Sequence, residues 1–126
     1  EEMLMDLALW IATGVLGVVF VVSGVAKSTM SRERLLATGQ TGIAPFPMPV
    51  VRMTAILELF GVAGLVLPWV LDTYRVLTPA AAIGLGVVMY GAAVSHASLR
   101  EPRTVAANLG ILVVCAFVAA GRLAAL

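Results

Sequence analysis

Residues 7–26 read LALWIATGVLGVVFVVSGVA, an apolar run without a single charge that stops abruptly at Lys27. A transmembrane helix needs about 20 mostly apolar residues to cross about 30 Å of hydrocarbon at 1.5 Å rise per residue, and this run meets that length. Three further long apolar runs follow at 50–71, 76–97 and 104–120, the first of them holding Arg52 and Glu58. Of the 126 residues, 61% are apolar and 12% charged, against about a quarter charged in soluble proteins. The expected fold is therefore all-α: a four-transmembrane-helix bundle in one domain over 1–126, with a short interfacial segment between the first and second spans. No length remains for a soluble domain, and no basic nucleic-acid patch is present.

The first span is too long for a signal peptide and is preceded by acidic Glu1, Glu2 and Asp6 instead of a basic region, so it reads as a retained span. Four spans put both termini on one side of the membrane. Lys27, Arg32, Arg34, Arg52, Arg100 and Arg103 then fall on the other side, and only Arg75 and Arg122 share the side of the termini. The positive-inside rule makes the Lys27 side cytoplasmic and the termini extracytoplasmic, with loops 27–49 and 98–103 inside the cell. Within the first loop, STMSRERLLATGQ reads as a short helix lying in the headgroup plane, with Met30, Leu35 and Leu36 towards the acyl chains. The alternating Pro45, Pro47 and Pro49 predict an extended stretch leading into the second span.

Helical rise then places the polar residues by depth. Lys27 closes the first span and Arg52 opens the second, with Glu58 roughly 10 to 12 Å inside it. The third span returns, bringing Tyr90 to the depth of Glu58 and His96 to the surface, while Asn108 lies within about two turns of the same surface. The set clusters in one leaflet whichever way the protein is oriented. A charge near a helix centre costs about 2.5 to 3.5 kcal/mol, so Glu58 must face the bundle interior with a partner or take a proton. Arg52 is six residues away, about 120° off a common face, which makes Lys27 of the neighbouring span a serious competitor for the pairing. Glu58 is read as ligand-contacting or proton-handling, with a purely structural ion pair as the competing reading. Trp10 and Trp69 are read as interfacial anchors, and the glycine and alanine stripes of the spans as helix-packing surfaces.

Lone Cys115 excludes dithiol redox chemistry within the chain and reads as packing filler. There is no His cluster for haem or iron, and the glycines sit inside apolar helices instead of after strands, which excludes a nucleotide loop.

The motifs S-G-V-A-K (Ser23 to Lys27) and E-L-F-G-V-A-G (Glu58 to Gly64), the Thr41-Gly42-Ile43 loop, His96 at the end of the third span and Asn108 in the fourth resemble the DoxX-like family over nearly the whole chain. The resemblance implies a compact four-helix membrane protein from a functionally diverse family. Some members are subunits of a thiosulfate:quinone oxidoreductase, some are linked to a membrane-associated oxidoreductase complex, and an animal protein of similar architecture assists receptor assembly. It also implies Lys27, Glu58, His96 and Asn108 as the family's polar set. Arg52 and Tyr90 join them on depth alone.

Three functions follow as expectations. The first is an accessory membrane protein, not an enzyme on its own, with an inner-leaflet pocket centred on Glu58 that receives a small amphiphile or a partner's helix. The second is a quinone-linked oxidoreductase subunit, in which His96 or Tyr90 donates to the quinone and electrons enter through another subunit. The third is a small proton-coupled transporter using Glu58. Quinone and lipid are the candidate ligands, and another membrane protein or a second copy the candidate partner besides the bilayer.

Overall fold

The computed structural model describes residues 2–126, and Glu1 lies outside the described residues. It is all-helical, with α1 at Glu2–Thr29, α2 at Arg32–Ala37, a single 3-10 turn at Thr41–Ile43, α3 at Met48–Val70, α4 at Leu77–Ser98 and α5 at Pro102–Ala124. α1, α3, α4 and α5 are each long and apolar enough to cross a membrane. They form a ring in which α1 packs on α3, α3 on α4, α4 on α5 and α5 back on α1. Its interior is filled by Leu16 and Phe20 of α1, Leu65 of α3, Leu85 and Met89 of α4, and Cys115 and Val118 of α5.

Proline fixes several helix boundaries. Pro102 and Pro49 occupy the first turns of α5 and α3, where a missing N–H is no loss because no intrahelical acceptor awaits it. The stretch expected to be extended through Pro49 is therefore shorter: the backbone is extended at Pro47, and the helix begins at Met48.

Pro68 is different, since it lies buried inside α3 and cannot donate to the carbonyl of Gly64 four residues earlier. The hydroxyl of Thr78, at the start of α4, donates to that carbonyl at 2.8 Å. In hydrocarbon no water could do so, and the bond thus both satisfies α3 and fixes the turn into α4. Gly64 also lets the two backbones close up, because a Cβ there would stand 2.9 Å from the Cβ of Ala81.

α2 starts at Ser31, whose hydroxyl accepts from the Arg34 backbone N–H at 3.2 Å. Its apolar side meets protein instead of the expected acyl chains. Leu35 is fully buried against Ile43 and Val51, with Met30 and Leu36 packed around them. Arg32 then donates to the carbonyls of Phe46 (2.7 Å) and Ala44 (2.5 Å), which ties the following loop beneath the bundle.

Candidate functional site

Glu58 sits near the middle of α3 and is completely buried. Its carboxylate accepts from Ser23 Oγ at 2.9 Å and meets Lys27 Nζ at 3.3 and 3.5 Å. Ser23 and Lys27 are four residues apart on α1 and so present one face to α3. Arg52 is not the partner. Its guanidinium donates to the carbonyls of Lys27 (2.6 Å) and Met30 (2.8 Å), where the end of α1 leaves acceptors without helical donors. The competition raised by the 120° offset is thus resolved in favour of Lys27.

At the end of α4, His96 is buried and its Nδ1 lies 2.7 Å from Glu101 Oε1. Thr41 of the 3-10 turn donates to the same carboxylate at 2.8 and 3.0 Å, and Ser95 donates to the Gly42 carbonyl at 2.7 Å. These bonds join the loop to the α4–α5 turn. The hydrogen bond from His96, then that from Thr41, holds the Glu101 carboxyl below its ordinary range, against a smaller opposing effect of desolvation. Gly42 lies against the imidazole, and a Cβ at that position would stand 2.8 Å from Nε2.

Between these two clusters lies a cavity of about 390 Å³, walled by all four long helices and the loop that follows α2. Its polar lining is Ser23, Lys27, Gln40, Thr54, His96 and Asn108, and its apolar lining includes Phe46, Met89 and Ile111. Asn108 is nearly buried, and its Nδ2 has no hydrogen-bond partner among the described residues.

Of the six residues singled out from sequence, Lys27, His96 and Asn108 line this cavity. Glu58 stands behind it, holding Ser23 and Lys27 in place, while Arg52 caps α1 outside it. Tyr90 does not reach it. The inward face of α4 runs through Leu85, Met89, Ala93 and His96, so Tyr90, one step of about 100° past Met89, turns outward and is 62% exposed. Helical rise alone set Tyr90 beside Glu58, and its azimuth turns it away from the cavity.

Sequence reasoning missed Glu101, a turn residue five positions after His96, and it also missed Arg122. That arginine is 2% exposed at the other end of the bundle, where it donates to Asp6 at 2.9 Å and lies over the rings of Trp69 (4.5 Å) and Trp10 (5.1 Å). Arg75 covers Trp69 as well, at 4.6 Å. Counting depth at this end, as was done at the Lys27 end, brings Asp6, Trp10, Trp69 and Arg122 to one level. The tryptophans read as anchors also form the bed of a buried guanidinium.

A ring of membrane-length helices, closed at one end by an arginine clasp and hollow at the other, defines a multi-pass integral membrane protein. The sequence signature of the DoxX-like family matches residues 11–118, and the chain belongs to that family. No curated protein and no solved structure matches it.

Proposed function

We propose that the protein is a non-enzymatic, accessory membrane protein of the cell membrane whose cavity receives the polar head of a small amphiphile. The observation that carries this reading is Asn108, an amide brought to a cavity wall inside a membrane span with a donor left unpartnered among the described residues. A buried polar group without a hydrogen bond costs about 1 to 3 kcal/mol, and a bound head that accepts from it removes that cost. The volume suits a headgroup, since small-molecule pockets run from about 300 Å³ upward. Lys27 supplies a second donor and the apolar lining supplies contact for a chain. Six of eight basic residues lie at the cavity end, which favours its facing the cytoplasm.

The quinone-linked reading uses the same cavity and requires an electron donor from another subunit. A transport route is favoured less, because the polar lining lies at one end of the ring.

The test is mass spectrometry of lipids and quinones that co-purify with the wild type and with Asn108→Leu. One bound species of defined class, lost in the variant, is the expected result. Identical extracts from the two proteins would overturn the reading, and a bound quinone lost in the variant would move it to the redox alternative.

A further inference from the structure

The hydrogen-bond directions of the cavity wall restrict the kind of head that fits, if the cavity is a binding site as proposed above. Among the described residues Lys27 is the one Lys or Arg on that wall, and its charge is already matched by Glu58 at 3.3 Å. Arg52, the one basic residue of α3, is turned to backbone carbonyls. An anionic head would therefore bring a second negative charge beside a buried carboxylate, with no further cation among the described lining residues to meet it. In surroundings of low dielectric that arrangement is heavily disfavoured.

His96 adds a second restriction. Both Glu101 oxygens act as acceptors, already taking the Thr41 hydroxyl at 2.8 and 3.0 Å, and Oε1 lies 2.7 Å from His96 Nδ1, so Nδ1 is the ring nitrogen that carries the proton. In the neutral imidazole this leaves a lone pair on Nε2, which has no hydrogen bond from the described residues and lies at the edge facing Gly42 on the cavity lining. With the ring neutral, the wall offers one acceptor at His96, donors at Lys27, and an amide at Asn108 whose Nδ2 needs an acceptor.

We infer that the cavity takes an uncharged amphiphile whose head carries both a hydroxyl, donating to His96 Nε2, and an ester-type carbonyl, accepting from Asn108 Nδ2 and Lys27 Nζ. A monoacylglycerol is the simplest lipid of this class. A quinone offers acceptors only and would set a carbonyl lone pair against that of Nε2. A fatty acid would bring the disfavoured charge.

The experiment compares monooleoylglycerol, methyl oleate and oleate by native mass spectrometry of the purified full chain in detergent. Methyl oleate shares the chain and ester but lacks hydroxyls. Monooleoylglycerol is expected to bind about tenfold more tightly than either, the worth of one well-made hydrogen bond. His96→Phe should abolish its advantage over methyl oleate. His96→Gln, which keeps an acceptor in a side chain of compatible polarity, should retain most of it.

Equal binding of methyl oleate by the wild type overturns the hydroxyl assignment, and preference for oleate overturns the uncharged head, both with the cavity reading intact. Binding of none of the three, or binding that survives filling of the cavity by Ile111→Trp, overturns the cavity reading as well.

Discussion

Glu58 and Lys27 form an ion pair whose two members differ in their access to water. Glu58 is fully buried, whereas the Lys27 side chain is 12% exposed and stands near a helix end. Removing either partner therefore has unequal consequences. Lys27→Met leaves a carboxylate in the bundle with Ser23 as its one donor among the described residues, and a loss of about 3 kcal/mol of stability is expected, at the lower end for a broken buried pair. Glu58→Leu leaves an ammonium that can extend along its own stem towards the interface, and should cost less. The double variant Lys27→Met/Glu58→Leu should recover most of the loss, because an apolar pair of similar volume has no charge to desolvate. Denaturant unfolding in detergent measures all three. A double variant no better than Lys27→Met would show that the two side chains do not act as a pair.

Within single elements, the exchange between Pro68 and Thr78 and the loop clasp at Glu101 make separate predictions. Thr78→Val should cost about 1 to 3 kcal/mol, since it leaves the Gly64 carbonyl unsatisfied inside the membrane. In a Pro68→Ala background the same substitution should cost much less, because alanine restores the backbone N–H that reaches the Gly64 carbonyl. A thermal-unfolding cycle of the four proteins reads this coupling. The clasp depends on pH instead. A carboxyl held below its ordinary value of 4.5 contributes stability that is complete above that value and is lost as the pH falls through it towards the lowered folded one. The protection of the backbone amides of 41–44 against hydrogen exchange, taken relative to the intrinsic rate at each pH, should accordingly fall in that acid window, and in Glu101→Gln it should be low throughout. An acid-insensitive profile in the wild type would mean that His96 and Thr41 do not hold the loop through this carboxylate.

Across the whole molecule, the four spans were legible because hydrophobic length sets them, and the polar level at the Lys27 end because helical rise fixes axial position. Rotation about each helix axis was not legible to the same degree. Tyr90 was placed by depth beside Glu58 and yet faces outward, since spans that meet lipid on one side are apolar all round and leave the inward face of α4 unmarked. Glu101 escaped notice because it lies in the turn after α4, where its contact with His96 depends on how the chain folds back, and because its other partner, Thr41, comes from a loop far away in the sequence. Orientation is open to a direct check. Cysteines introduced at Arg100 and at Thr73, in the otherwise thiol-buried protein, should differ in intact cells: a membrane-impermeant maleimide is expected to label the Thr73→Cys protein and spare the Arg100→Cys protein. The reverse pattern would place the cavity end outside.

The carboxylate in the middle of α3 also bears on how the chain reaches the bilayer. α3 cannot settle alone in hydrocarbon at little cost, for an unaccompanied charge at mid-span carries a penalty of about 2.5 to 3.5 kcal/mol. α1 leaves the ribosome before α3 and holds the matching serine and lysine, so the insertion machinery would release α3 most readily against an α1 already waiting beside it. Biogenesis would then proceed by hairpins, with α1 and α3 joining before α4 and α5 close the ring.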